Sequence, residues 1–428
     1  MRRLLVVGLS VVALVAPLAG RASATNDTYF ARQWALTQIG APQAWTRSTG
    51  GGITIGIVDT GVDLTHPDLA GKVQASADCV GHACIAGAGQ DTHGHGTIVS
   101  GIAAAVTGNG KGVAGVAPDA RLVVAKVLNS AGEGRVEDIN NGIRWVVDNG
   151  ARVVNLSVGD PNFLISSVVG TPLRSGIEYA WSKGAVPVLA SGNYATGVGD
   201  LGTENYGAIN ALVVGATDRA GNVPSYSSAV GNAKWGLVAP GGAGSGGADS
   251  NVISTFPIAS GGSGYASAAG TSMAAPHVAG AVALLLAQGL TPSAAVARLL
   301  ATLDKVACGA GCQGRLNVAT AVGADPAAPT TTAAPAPTTT RAPSVPRTTV
   351  PRPTTTTTAR PAVVTTTTTS TVPPRSAQSA QPPELALPVP VPVGNPPGRN
   401  PIVIGLAVGM MALAGSAVGA TAVRRLRS

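Results

Sequence analysis

Charged side chains make up only 11% of this 428-residue sequence, and no compact cationic stripe is among them. The formal net charge of +8 misleads, because residues 25–322 carry 16 Lys and Arg against 18 Asp and Glu. The excess lies in Arg2, Arg3 and Arg21, in six arginines scattered between 323 and 400, and in Arg424, Arg425 and Arg427. That distribution lacks the footprint of a nucleic-acid-binding protein, so no such partner is expected. Cysteine is scarce as well: Cys79, Cys84, Cys308 and Cys312 are the full set, without any C-x-x-C spacing. Zinc modules are built on such pairs, and their lack argues against a zinc site. In an exported chain four cysteines read instead as two disulfides. Of the three possible connectivities, Cys79 with Cys84 and Cys308 with Cys312 is the economical one.

Export is expected from the first residues. Arg2 and Arg3 precede an apolar run from Leu4 to Leu18, and Ala22-Ser23-Ala24 has the form of a cleavage site. Residues 1–24 therefore read as a signal peptide, the run being short for a spanning helix. Residues 25–322 are rich in Gly and Ala and alternate apolar strands with helical patterns. This predicts one α/β domain, a three-layer sandwich around a mostly parallel sheet. Strands are expected at Ile53–Val58, Leu122–Val127, Val153–Leu156, Val186–Ala190 and Leu212–Ala216. A helix is expected over Val136–Asn149, with Ile139, Ile143, Val146 and Val147 on its apolar face, and another apolar stretch runs Val278–Gln288. Residues 323–400 are dominated by Thr, Pro and Ala, cannot bury a core, and read as a disordered linker. Pro401 to Val423 is apolar and long enough to span a bilayer, and the arginines of 424–428 belong on its cytoplasmic side. The expected location is thus the cell membrane, single-pass, with the large domain outside. No Leu-Pro-x-Thr-Gly motif precedes the apolar stretch, so it reads as a retained anchor and not a wall-sorting signal.

Three islands carry chemistry. Ile53 to Asp63 ends a buried strand on Asp59; Asp91 to Gly101 places His95 at the start of a small-residue helix; and Gly270-Thr271-Ser272-Met273 is a tight turn into another helix. Peptide hydrolysis needs a nucleophile, a base and a group that holds the base in the right tautomer. Ser272, His95 and Asp59 fill those roles, in the chain order Asp, His, Ser. Each island alone would read blandly, as a helix cap, a polar helix start or a turn after a strand. His93 competes for the base, but only His95 is followed by Gly96-Thr97 and the small residues that let a helix sit close behind it. His93 then reads as a loop residue near the cleft. Asn193, in Ala190-Ser191-Gly192-Asn193, is the candidate side-chain donor to an oxyanion, with the Ser272 backbone N–H as the second.

The sequence resembles the subtilisin-like serine proteases, the subtilase family, and in particular their thermitase branch. The resemblance covers about residues 26–322 and rests on Asp59-Thr60-Gly61-Val62, His66-Pro67-Asp68-Leu69, His95-Gly96-Thr97, Asn155-Leu156-Ser157-Val158-Gly159, Ser191-Gly192-Asn193 and Gly270-Thr271-Ser272-Met273-Ala274. It implies a parallel α/β sandwich, endopeptidase activity on proteins or peptides, and substrate added as a strand against Ser157-Val158-Gly159. The first specificity pocket would be walled by that segment and by Leu189 to Gly192, so Ala190, Ser191 and Gly192 would favour an apolar or aromatic side chain. The resemblance also implies one structural Ca²⁺ site, with ligands at Asp27, Asp68, Val106, Asn109, Lys111 and Val113. A further calcium loop of the branch maps near Cys79–Gln90, where acids are few, and is expected to be absent.

There are departures. Asp160 stands where the family usually has glycine, and fewer than 30 residues separate Ala24 from Ile53, too few for a folded pro-domain. Leu201 to Asn210 lacks the proline that often precedes the next strand. The whole layout is also that of mycosins, proteases associated with type VII secretion, which gives one alternative role. A catalytically silent surface-binding module on a stalk is the reading from another class, and it would need a defect in the triad. A monomer is expected.

Overall fold

The structure, a computed structural model, describes residues 25–158, 173–193, 207–258 and 264–324. The expected signal peptide, nearly all of the linker, the membrane helix and the tail lie outside these residues, as do Gly159 and Asp160. Among the described residues no single helix is long and apolar enough to cross a membrane.

A nine-stranded sheet forms the centre. Its strands are β1 (Thr54–Asp59), β2 (Val73–Asp78), β3 (Ile85–Ala86), β4 (Arg121–Lys126), β5 (Val153–Leu156), β6 (Val186–Ala190), β7 (Leu212–Thr217), β8 (Trp235–Pro240) and, after a separate antiparallel pair β9 (Val252–Thr255) and β10 (Tyr265–Ala268), β11 (Cys312–Arg315). The order across the sheet is β11-β8-β7-β6-β5-β1-β4-β2-β3, parallel throughout except for β3. The central strands are apolar along their whole length because both faces are covered. Ile55, Ile57, Leu122 and Val124 face one core, while Val58, Val123, Ala125 and Val154 face the other. This alternation is the period-two geometry of a strand, and it puts Asp59 on the same face as Ile55 and Ile57.

Eight α-helices are described: α1 (Trp34–Gln38), α2 (Ala41–Ala44), α3 (His95–Ala104), α4 (Val136–Asp148), α5 (Arg174–Ser182), α6 (Thr271–Ala287), α7 (Pro292–Ala301) and α8 (Val318–Ala321). Helices α3 and α6 cover the Ile55 face, and α4 and α5 the other. The expected mostly parallel sheet with helices on both sides is what forms. From β1 the chain first builds one flank of the sheet and then returns to build the other from β5. The strand order therefore switches between β1 and β5, and a crevice opens at their carboxyl ends. Asp59 ends β1, and Ser157 follows β5 directly.

Both expected disulfides are present, Cys79–Cys84 and Cys308–Cys312. The first closes the loop between β2 and β3, and Gly81 N in that loop donates to buried Asp138 of α4 at 3.0 Å.

Candidate active site

The Asp59 side chain is fully buried, and its Oδ1 accepts from the Thr60 backbone N–H at 2.7 Å. The same oxygen lies 2.8 Å from His95 Nδ1. His95 opens α3, whose first amides would lack partners inside the helix. Asp91 supplies them: its Oδ1 accepts from His93 N and Gly94 N at 2.9 Å, and its Oδ2 from Thr97 N at 3.0 Å and Thr97 Oγ1 at 2.6 Å. Thr60 joins the two elements, its hydroxyl donating to Asp91 and accepting from Gly96 N, each at 2.9 Å. A Cβ on Gly96 would collide with the Gly61 carbonyl, so only glycine lets α3 approach the end of β1 this closely. Burial opposes protonation of His95, but Asp59 beside it and Asp91 behind outweigh this and hold its pKa above the ordinary 6.5. His93 lies with its ring centroid 6.3 Å from that of His95, and burial, with the neighbouring imidazole, lowers its pKa.

Ser272 occupies the first turn of α6. Before it, Gly270 has φ +152° and ψ 160°, a conformation essentially reserved to glycine, and a Cβ there would press on Asn193 Nδ2 at 3.2 Å. The helix starts seven residues ahead of the apolar stretch expected at Val278, and it runs straight through Pro276. Proline has no N–H to give to the carbonyl four residues back, which here is that of Ser272. Ser157 fills the gap: its Oγ donates to Ser272 O at 2.8 Å, and Asn155 Nδ2 in turn donates to Ser157 Oγ at 2.9 Å. The contact is reciprocal, since Ser272 Oγ donates to Ser157 O at 3.0 Å. That is where the Ser272 hydroxyl points; among the described residues no hydrogen bond joins it to His95. Asn193 is exposed, and its Oδ1 accepts from Thr271 N at 2.8 Å and Thr271 Oγ1 at 3.1 Å. Anchored by its oxygen, the amide presents Nδ2 beside the Ser272 turn. Gly192 N donates to Thr271 Oγ1 at 3.0 Å, and Ser191 Oγ to Ser228 O at 2.8 Å. Thus Asp59 holds the His95 imidazole, the Ser272 hydroxyl stands at a helix start and the Asn193 amide sits beside that turn; groups of these kinds are the parts that acyl transfer needs.

The comparisons agree with that chemistry. Residues 50–370 match the model of the Subtilase family. The chain belongs to the subtilase family. It is 41% identical over 303 residues to thermitase of Thermoactinomyces vulgaris, covering 69% of this chain and 98% of that protein. It is also 41% identical over 256 residues to subtilisin Savinase of Lederbergia lenta, covering 59% of this chain and 83% of that one. A solved structure described as proteases from Pseudoalteromonas arctica aligns with TM-score 0.59 and 30% identity, over 70% of this chain and 99% of its own. This subtilase is accordingly a subtilisin-like serine endopeptidase, and its substrates are proteins or peptides.

The six residues expected around calcium are also gathered. Asp27 is buried and accepts from Gly108 N at 2.9 Å and Asn109 N at 3.1 Å. Asp68 Oδ1 accepts from Asn109 Nδ2 at 2.9 Å and its Oδ2 from Val113 N at 2.8 Å. No hydrogen bond among the described residues reaches the carbonyls of Val106, Lys111 or Val113. Nor do the described residues contain a cluster of three or more His, Cys, Asp or Glu arranged for a metal.

Sequence reasoning gave no role to Asp91, Thr60 or Thr271, which hold the site's parts in place. Asp91 could have been found from its position just ahead of the His95 helix, where an acid caps free amides. Thr60 and Thr271 had no such signal, because their partners lie far away in sequence. The clamp between Ser157 and Ser272 yields a test. Ser157→Ala leaves the carbonyl orphaned by Pro276 without a donor, at a cost of about 1–3 kcal/mol. The expected result is a lower melting temperature together with reduced turnover; an unchanged melt and unchanged kcat would show that the clamp contributes nothing.

Proposed function

We propose that Ser272 is the nucleophile of this subtilase, His95 its general base and later general acid, and Asp59 the group that orients and balances the imidazole. The 2.8 Å contact of Asp59 Oδ1 with His95 Nδ1 carries the reading. An ionised carboxylate only accepts, so Nδ1 holds the proton and the Nε2 lone pair is left for the nucleophile. One rotamer step about the Ser272 Cα–Cβ bond would release the hydroxyl from Ser157 O toward the imidazole; such contacts often close only once substrate binds. The substrate would lie as an added strand on Ser157, Val158 and Gly159, with an apolar side chain against Ala190, Ser191 and Gly192. Attack on the scissile carbonyl places negative charge on its oxygen, which the Ser272 N–H and Asn193 Nδ2 stabilise. His95 then hands its proton to the departing amine, and water repeats the sequence on the acyl-enzyme.

A serine-directed fluorophosphonate should label the wild type and leave Ser272→Ala unlabelled, while Asn193→Ala should lose roughly 10²–10³-fold in kcat with KM little changed. Turnover by Ser272→Ala close to that of the wild type would remove the assignment.

A structural Ca²⁺ fits the loop that follows α3. Asp27 and Asp68 would bring two carboxylates, Asn109 an amide oxygen, and Val106, Lys111 and Val113 carbonyls that accept nothing from the described chain; hard oxygen donors of this kind suit calcium. The ion would tie the lead-in to α3 and would take no part in the chemistry. Stripping it with EDTA should lower the melting temperature of the wild type by several degrees and leave that of Asp68→Asn unmoved. An EDTA-insensitive wild type excludes the site.

Residues 1–24 would direct export, and 401–423 would anchor the enzyme with its protease domain outside the cell, on the hydropathy and flanking arginines of those segments. In fractionated cells the full chain should stay with alkali-washed membranes and be degraded by external protease; recovery in the soluble fraction would contradict the anchor.

A further inference from the structure

We infer that Lys126 is a positioning residue for the Asp59–His95 pair, acting through the main chain of Thr60. The inference rests on the triad assignment made above. Lys126 ends β4 directly beside Asp59 in the parallel register of β1 and β4, and it is buried to 7% exposure. Its ammonium donates to Thr60 O at 2.9 Å, to Leu128 O at 2.8 Å and to Thr92 Oγ1 at 3.3 Å. These acceptors belong to the loop leaving β1, the segment leaving β4 and the loop entering α3. One cation therefore ties together three segments that converge on the site.

Thr60 is the residue through which this tie acts. Its N–H holds Asp59 Oδ1, its hydroxyl links Asp91 to Gly96 in the first turn of α3, and its carbonyl is held by Lys126. Without the ammonium, the Thr60 and Leu128 carbonyls lose a charge-assisted donor, and Thr60, whose N–H holds Asp59, loses its anchor on the carbonyl side. The charge also matters. The ionisable groups around it are the carboxylates Asp59, Asp78 and Asp91 and the imidazoles His93 and His95. Burial lowers the Lys126 pKa, while Asp91, Asp78 and Asp59 work the other way and favour the cation. In return, Lys126 helps to keep the His93 pKa low. The His95 pKa is held up by Asp59 and Asp91 against burial, so an Asp59 carboxylate no longer held against the ring would let it fall.

The test is the pH profile of kcat/KM for the full chain on a chromogenic peptide, comparing wild type, Lys126→Met, Lys126→Gln and Lys126→Arg. For the wild type the acid limb should fall above 6.5, the ordinary histidine value. Loosening Asp59 from the imidazole in Lys126→Met should move that limb downward by at least about half a pH unit, the scale of a unit charge at several ångströms inside a protein. It should also lower kcat by about tenfold or more with little change in KM, as loss of transition-state alignment does. Lys126→Gln keeps a donor without the charge, and its limb should move the same way. Lys126→Arg should keep the limb in place. A folded Met or Gln variant with an unmoved or raised limb overturns the inference, and so does a shifted limb in Lys126→Arg. A merely structural lysine would cost melting temperature without moving the limb. Failure of the triad reading looks different: Ser272→Ala or His95→Ala would then remain active.

Discussion

Burying an ionised carboxylate completely costs several kcal/mol unless hydrogen bonds and a counter-charge replace the water it loses. Asp59 is in that position, and much of the structure around it supplies the replacement. The Thr60 N–H and the His95 ring bond Oδ1 and the Lys126 cation attracts the charge, while Oδ2 is buried with no hydrogen-bond partner among the described residues. Each of these depends on another group: Thr60 on Asp91 and Lys126, His95 on a helix start capped by Asp91 and on the lack of a side chain at Gly96. Loosening one member leaves a buried polar group of another unpaired, so the cluster is expected to respond as a unit to substitution.

The sheet decides where this cluster can exist. Apolar strands covered on both faces bring β1, β4 and β5 side by side, and the change of strand order between β1 and β5 leaves a crevice at their carboxyl ends. Asp59 comes off β1, Lys126 off β4 and Ser157 off β5, all at that end. Helices α3 and α6 lie on the same face of the sheet and deliver His95 and Ser272 by their first turns. Side chains on the ends of rigid elements are placed more closely than side chains on loops, and here Thr60 and Asp91 complete their alignment.

Much of the fold was legible from patterns. The expected strand Ile53–Val58 is found at Thr54–Asp59, and the expected helix Val136–Asn149 at Val136–Asp148. Runs of Ile and Val and a repeating apolar face report burial directly, so such elements survive with errors of a residue. Helix α6 is different. Pro276 argues locally for a break, yet the helix passes through it because Ser157, 115 residues before Ser272, bonds the Ser272 carbonyl that proline leaves free. Lys126 left no such trace: it lies inside the expected strand Leu122–Val127, yet its ammonium is held by oxygens of Leu128 and of the distant Thr60 and Thr92.

The sequence alone determined the family, the parallel α/β architecture and which side chains could do the chemistry, since all of these depend on residue type and short spacing. Only the tertiary structure decided where the Ser272 hydroxyl points, which groups hold Asp59 in place, and that a lysine sits among the carboxylates. Those features arise from contacts between segments far apart along the chain. Such contacts leave no periodic trace in any one segment, because each partner satisfies a hydrogen bond or a charge that becomes unpaired only once the fold has excluded water.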